Sequence, residues 1–251
     1  MRTHSNTMFV TGGGSGIGKG LAEAFHELGN QVIISGRRED VLKKTCHAHP
    51  GMRYFVMDVT DLRSIRGLAE KVMGEWPGLN CVINNAGVQK HVDLSSGRPM
   101  DDAALQAEVN TNFLGLVRVS AEFIPHLRKQ EKATLVNVSS GLAFVPLARF
   151  PVYCATKAAV HSFSVSLRQQ LRASGIQVVE LVPPYVDTEL GGASTTRPAG
   201  APIAMPLDEF IAEAMQGLAG DGDEIAVGQA KNLVAATATE SFRQAFAGMN
   251  R

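Results

Sequence analysis

Short runs that are apolar at every position alternate along the chain with longer stretches whose apolar side chains recur every third or fourth residue. The first run, Met8-Phe9-Val10, leads into Thr11-Gly-Gly-Gly-Ser-Gly-Ile-Gly18. Ile17, Leu21, Phe25 and Leu28 then mark the buried stripe of a helix that Gly29 stops. Val32-Ile33-Ile34 predicts a second strand and Tyr54-Phe55-Val56-Met57 a third, with a helix over Glu39–Ala48 between them. A helix from Leu62 to about Trp76 ends at Pro77-Gly78, and Cys81-Val82-Ile83 follows as a strand. Next come a long helical region from about Asp101 to Gln130 and the strand Leu135–Val138. Pro151 suits a first helical position, and Ala155, Ala159, Phe163, Leu167 and Leu171 continue that helix toward Gly175. Past Val182 the pattern breaks. Residues 189–206, rich in Gly, Ala, Ser, Thr and Pro, predict a mobile loop, followed by a helix over Leu207–Leu218, a last strand Glu224–Val227 and a terminal helix Ser241–Met249.

Strands that are apolar throughout, rather than alternating, are covered on both faces by helices. Strand–helix alternation with right-handed crossovers predicts an α/β fold: a Rossmann-type, doubly wound parallel sheet of about seven strands. Residues 1–251 hold no internal repeat and no long linker, which predicts a single domain. Ligands in such sheets collect at the carboxyl ends of the strands, where Gly12 to Gly18, Gly36-Arg37, Asp58, Asn84 to Gly87, Ser139-Ser140 and Pro183-Pro184 all fall.

Composition removes several alternatives. The 24 basic and 24 acidic side chains balance, so no electrostatic footprint for nucleic acid or an anionic membrane is expected. Cys46, Cys81 and Cys154 are odd in number and lack CxxC spacing, which argues against a disulfide framework and for a reducing compartment. The first seven residues lack an apolar signal core, and no apolar run approaches the ~18 residues of a membrane span. A cytoplasmic protein is expected. His47 and His49 have no acidic or cysteine partner at ligand spacing, so no metal site is expected.

The candidate chemistry begins in the glycine loop. Gly12, Gly16 and Gly18 permit a tight turn, close approach of backbone to phosphate, and close packing of helix on strand. About twenty residues on, where an acidic side chain would hold the ribose of NAD, the second strand ends Ser35-Gly36-Arg37-Arg38. Glycine leaves room for a 2′-phosphate and arginine can fork onto its oxygens, which predicts NADP(H) over NAD(H). Tyr153 and Lys157, four apart on one helix, share a face. A neighbouring ammonium and the positive nicotinamide would lower the phenol from its free value of about 10. Ser139-Ser140, ending the preceding strand, can hydrogen-bond a substrate carbonyl.

Together, TGxxxGxG, Asn84-Asn-Ala-Gly87, a serine thirteen residues before the tyrosine, and Tyr153-Cys-Ala-Thr-Lys157 resemble the short-chain dehydrogenase/reductase family over nearly the whole chain. More narrowly, Asn137-Val-Ser-Ser-Gly-Leu-Ala-Phe-Val-Pro146 and Pro151-Val-Tyr-Cys-Ala-Thr-Lys157 resemble the DltE-like bacterial oxidoreductases. The resemblance implies Tyr153 as general acid or base, Lys157 as its electrostatic partner and holder of the nicotinamide ribose, and Ser140 as the carbonyl-positioning hydroxyl. It implies Asn112 as the asparagine that holds a water on a proton relay behind Lys157. It further implies cofactor contacts from Gly12, Gly14, Ser15, Gly16, Ile17, Gly18, Gly36, Arg37, Arg38, Asp58, Val59, Asn85, Ala86, Gly87, Pro183, Val186 and Thr188. The family's usual Pro-Gly is replaced here by Pro183-Pro184, whose second proline has a fixed φ and no N–H beside the nicotinamide.

The implied activity is reduction of a small or medium apolar carbonyl compound by NADPH, or the reverse. Phe144, Val145, Pro146, Leu147 and the 189–206 loop would surround the substrate. Two other readings stand beside it: a regulatory or redox-sensing NADP(H)-binding module, and a lyase or epimerase that uses the same tyrosine. Family analogy points to a homodimer or homotetramer through Phe113–Pro125 and Val152–Leu171. Cys154 is expected to pack on another helix face, and His161 to be a satisfied structural histidine. Glu180, inside an apolar strand, has no explanation in the sequence.

Overall fold

The computed structural model describes residues 1–97, 99, 101–190 and 203–237. Among them, seven parallel strands form one sheet: β1 (Thr7–Thr11), β2 (Gln31–Gly36), β3 (Arg53–Val56), β4 (Leu79–Asn84), β5 (Ala133–Val138), β6 (Ile176–Val182) and β7 (Glu224–Ala226). Their spatial order is β3-β2-β1-β4-β5-β6-β7, so the winding direction reverses between β1 and β4. The helices are α1 (Gly16–Glu27), α2 (Glu39–Ala48), α3 (Leu62–Glu75), α4 (Asp102–Val109), α5 (Leu116–Leu127), α6 (Pro151–Leu171), α7 (Leu207–Ala219) and α8 (Ala230–Thr237).

The unbroken apolar runs have a simple cause. Successive strand residues point to opposite faces, and here each face has its own core. Met8, Val10, Val32, Ile34, Ile83 and Val179 pack with Leu21 and Phe25 of α1 and Phe210 of α7. Phe9, Ile33, Val82 and Val178 pack with Ile65 of α3, Phe123 of α5 and Leu167 of α6. On that second side the Phe9 and Phe123 rings stack with centroids 5.0 Å apart.

The structure departs from the sequence reading in three places. The third strand lies one residue earlier than expected, at Arg53–Val56, because Met57 already leaves the ladder to bond the Gly36 carbonyl. The long helical region divides into α4, a widened π-helical turn at Asn110–Gly115, and α5. At Gly115 that turn touches the end of β3: a Cβ there would come within 2.8 Å of the Val59 carbonyl. Helix α8 was not anticipated, since Leu233 and Val234 are its large apolar side chains amid alanines and polar residues. It docks by Ala230 and Leu233 against Gly141, beside the end of β5.

Of the expected 189–206 loop, residues 191–202 lie outside the described residues, as does the expected terminal helix Ser241–Met249. The ends of the loop are tied together. Asp187 N donates to the Met205 carbonyl at 2.9 Å and Met205 N to the Tyr185 carbonyl at 2.8 Å. No helix of the described residues is long and apolar enough to cross a membrane.

Candidate active site

The glycine turn and the Asn84–Gly87 segment meet where the sheet reverses its winding. Gly12 has φ +67°, and a Cβ on it would lie 2.9 Å from Asn85 Nδ2 and 3.0 Å from Ala86 Cα. A Cβ on Gly18 would run into the Asn85 amide and the Gly12 carbonyl. The Thr11 hydroxyl ties the two segments, accepting from Asn85 N at 3.0 Å and Ala86 N at 3.1 Å. In return Asn85 Nδ2 donates to the Thr11 and Gly12 carbonyls at 3.0 and 3.3 Å. No side chain caps the first turn of α1. Its N–H groups and the positive end of the helix dipole therefore face the turn, a setting suited to an anion.

Two of the sequence-predicted residues after β2 and β6 close on this turn. Arg38 Nη2 donates to Ser15 Oγ at 3.0 Å and pairs with Glu189 Oε2 at 3.3 Å, both charged groups being well exposed. Thr188 lies 3.3 Å from where a Gly16 Cβ would sit. Gly36 has only Leu42 near its Cβ position, at 3.7 Å or beyond, so the end of β2 stays open. Asp58 Oδ1 accepts from Thr60 N and Thr60 Oγ1 at 2.9 and 2.8 Å, which fixes its carboxylate at the end of β3.

The second half of the site is assembled around α6. Tyr153 and Lys157, one turn apart, are each 5% exposed. The Lys157 ammonium donates to the Val138 carbonyl at 2.8 Å and lies 5.7 Å from the centre of the Tyr153 ring. Ser140 lies two residues past β5, held between two backbone bonds to β6 and the residue after it: Ser139 N to the Leu181 carbonyl and Gly141 N to the Pro183 carbonyl, both 2.9 Å. Of the two serines, Ser140 is the one that acts on the Tyr153 phenol, while its hydroxyl also accepts from Leu142 N at 3.1 Å. The Ser139 hydroxyl is buried without a partner.

Asn112, in the widened turn, spans three segments. Its Oδ1 accepts from Val88 N at 2.8 Å, and its Nδ2 donates to the Val88 carbonyl at 2.8 Å and to Thr156 Oγ1 at 3.1 Å. Thr156 in turn donates to the Tyr153 carbonyl at 2.7 Å. A Cβ on Gly87 would lie 3.4 Å from Asn112 Oδ1 and 3.9 Å from Lys157 Nζ, so these three residues converge. Glycine keeps that junction open.

Burial dominates the electrostatics. It pulls Lys157 down to about 8, against the upward influence of the Glu180 charge. Burial likewise pushes the Tyr153 phenol well above its ordinary range; Ser140 works downward, and Cys154 and Glu108 add to the rise. The sequence reading has the ammonium lower the phenol, but in the protein by itself desolvation is the larger effect.

Sequence reasoning missed Thr11, Glu108 and Thr156. Glu108 is wholly buried and accepts from Lys90 N at 3.0 Å, while its Oε2 has no hydrogen-bond partner. Burial raises its carboxyl above the usual range, partly offset by the Lys90 N–H and charge. The available signal was its spacing: Glu108 and Asn112, one helical turn apart, catch the backbone N–H groups of Lys90 and Val88 in parallel. Cys154 packs as expected, with its sulfur receiving Leu147 N at 3.3 Å. His161 finds its partner in Glu180, 2.8 Å from Nδ1 to Oε2. With Glu224 these two bring three potential metal-ligand atoms within 4.8 Å, a grouping that the spacing of histidines did not suggest. A surface hollow lined by Lys43, Cys46, His47 and Arg53 opens at the amino end of β3, on the edge of the sheet opposite these residues.

With this geometry in place, comparison with known proteins is decisive at the level of family. The profile of the short chain dehydrogenases matches residues 6–199. The chain belongs to the short-chain dehydrogenase family. Over its full length it is 40% identical to the uncharacterized oxidoreductase DltE of Bacillus subtilis (strain 168), covering 98% of that protein. Among solved structures, a short-chain dehydrogenase of Burkholderia cenocepacia J2315 in complex with NADP has a TM-score of 0.82 at 25% identity, with 100% of this chain and 99% of that one covered. A short-chain dehydrogenase/reductase of Burkholderia phymatum in complex with NAD reaches a TM-score of 0.81 at 20% identity, covering 94% and 92%. The chain is thus an oxidoreductase of this family, and its fold is shared with solved structures that carry either dinucleotide.

Proposed function

We propose that the protein is an NADP(H)-dependent oxidoreductase that interconverts a carbonyl and an alcohol, with Tyr153 as general acid and base. The observation that carries this reading is the burial of Tyr153 and Lys157 one turn apart on α6, with the Lys157 ammonium tied to the Val138 carbonyl two residues ahead of Ser140. Tyr153, Lys157 and Ser140 stand at the strand edge that also carries the glycine turn.

The residues present fit a dinucleotide. Gly12 and Gly18 leave backbone room that any side chain would fill, at the uncapped start of α1. Gly12, Gly14, Ser15, Gly16, Ile17 and Gly18 would hold the pyrophosphate, and Asp58 and Val59 the adenine. Asn85, Ala86 and Gly87 would border the adenosine ribose. Arg37 and Arg38 would take a 2′-phosphate beside the open Gly36, with Arg38 exchanging Glu189 for the phosphate oxygens. Pro183, Val186 and Thr188 would flank the carboxamide. The cofactor supplies the hydride when bound.

In reduction the substrate carbonyl oxygen is held by the Ser140 hydroxyl and receives the phenolic proton of Tyr153 as the carbon becomes tetrahedral. The resulting tyrosinate is stabilised by Lys157 and reprotonated from solvent by way of the Lys157–Asn112 side of the site. Oxidation runs the same proton in reverse. Phe144, Val145 and Leu147, of which the last two are exposed, give the substrate side an apolar rim. A small-molecule carbonyl or alcohol is the substrate class, residues 1–251 act as one unit, and copies pair through α5 and α6 in the cytoplasm.

The test is a screen of ketones, aldehydes, quinones and acyl derivatives, following loss of NADPH absorbance. Tyr153→Phe is expected to abolish turnover while NADPH still binds. Turnover that persists in that variant refutes the assignment.

A further inference from the structure

A row of polar side chains crosses the sheet beneath α6, on a face otherwise apolar. Asn84 on β4 is in register with Asn137 on β5, Asn137 with Glu180 on β6, and Glu180 with Glu224 on β7. The first two close on neutral partners. Asn84 Nδ2 donates to Asn137 Oδ1 and to Ser120 Oγ of α5, each at 2.9 Å, and Asn137 Nδ2 donates to Ser164 Oγ of α6 at 3.0 Å.

Glu180 is different. It has no exposed surface, and its Oε1 lacks a hydrogen-bond partner. A carboxylate so placed is costly unless cations face it. Two stand on α6 one turn apart. His161 Nδ1 donates to Glu180 Oε2 at 2.8 Å, and Lys157 Nζ is anchored on the carbonyl of Val138, the register partner of the residue after Glu180. The other charged groups facing this cluster are Glu224, 3.8 Å from His161 Nδ1, and Arg168 further along α6, itself paired with Asp223 at 3.6 Å. The Tyr153 phenol completes the α6 face. Phe144 covers the imidazole, with ring centroids 4.5 Å apart.

We propose that Glu180 is a positioning residue of the candidate active site: its buried carboxylate is the counter-charge that keeps the Lys157 ammonium protonated, sharing that role with the support of His161. The electrostatic trends agree with the geometry. The Glu180 charge opposes the loss of protonation that burial imposes on Lys157. At His161, burial works against the charged ring, but the Glu180 hydrogen bond and the charges of Glu180 and Glu224 prevail over burial and over Arg168, so its value is raised. Glu224 acts on His161. The significance for catalysis rests on the function proposed above; the coupling itself does not.

The coupling is tested in the full-length protein without cofactor or substrate, so its outcome is separate from the turnover screen. Lysine- and histidine-selective carbon labelling and proton–carbon correlation NMR would follow Lys157 and His161 through a pH titration, assigned with Lys157→Arg and His161→Gln. The wild-type Lys157 midpoint is expected near 8. Glu180→Gln should lower both midpoints, that of Lys157 by about one pH unit. Glu224→Gln should lower that of His161 and leave Lys157 in place. A Lys157 midpoint unmoved by Glu180→Gln, or moved by Glu224→Gln as far as that of His161, overturns the proposal. Should Glu180→Gln fail to fold, Glu180→Asp keeps the charge and should hold Lys157 within about half a unit of wild type; a fall of about a unit or more in that variant overturns it equally.

Discussion

The Lys157 ammonium donates to the Val138 carbonyl at 2.8 Å, two residues ahead of Ser140, so the cation is fixed to the same strand end that presents the serine hydroxyl. That anchoring is made at the expense of stability. Lys157 titrates at about 8 in the folded chain against 10.5 when free, so between those values the unfolded chain binds more protons and stability rises with pH. Below about pH 8 the penalty is present in full, on the order of 3 kcal/mol. Replacing Lys157 by Met removes it and loses one hydrogen bond worth about 1 kcal/mol. The expected outcome is a variant about 2 kcal/mol more stable near neutrality, with the gain fading above about pH 8 and gone by roughly pH 10.5. Urea unfolding at two pH values checks this, and a less stable variant at neutrality contradicts it.

Tyr153→Phe keeps the ring and removes the proton. Loss of a general acid costs about 10²- to 10⁴-fold in turnover. NADPH affinity, measured by fluorescence titration, should change by less than about twofold, because in the proposed function the phenol serves proton transfer rather than cofactor binding. Equal losses of binding and turnover would show that the tyrosine serves the fold instead.

Arg38 and Glu189 form a pair that cofactor selectivity should reveal. A charge-assisted contact contributes about 1.5–3 kcal/mol, so Arg38→Ala is expected to weaken NADPH by about tenfold to a hundredfold and NADH little. Glu189→Gln frees the guanidinium and should tighten NADPH. Isothermal titration of both cofactors decides between this and a solvent-facing arginine, for which NADPH and NADH would weaken alike.

The glycines differ in kind. Gly18→Ala drives a methyl into the Asn85 amide and the Gly12 carbonyl, neither of which is a free-ended side chain. Overpacking of this sort costs about 1–3 kcal/mol or more. Gly29 has φ +79° but nothing within 4 Å of its Cβ position, so Gly29→Ala bears backbone strain alone, about 1 kcal/mol. Thermal melts should rank Gly18→Ala well below Gly29→Ala, and a reversed order would falsify the packing account of the glycine turn.

His161 gives the opposite pH dependence to Lys157. Its raised folded value means that its contribution to stability is fully present below the ordinary imidazole value and is lost as pH climbs through the folded one. His161→Gln should therefore destabilise the protein most in mildly acidic solution and least in alkaline solution, as read by melting temperature across that range.

What the sequence by itself determined is what local spacing carries. The apolar runs give the strands, because residues buried on both faces must be apolar at every step. The turn of Gly12 to Gly18, and Tyr153 with Lys157 one helical turn apart, need only a strand end and a helix to take their meaning. Only the tertiary structure decided the partners. Arg38 meets Glu189 across 151 positions, and Asn85 locks the glycine turn from 74 positions away. The alignment of Asn84, Asn137, Glu180 and Glu224 depends on the register of four strands, which no single segment encodes. Glu180 is anomalous as a residue in an apolar strand, and becomes intelligible when α6 lays His161 and Lys157 over it. The physical reason is that burial and charge compensation are properties of the packed interior: a side chain's chemistry is local, but the groups that satisfy it arrive from elsewhere in the chain.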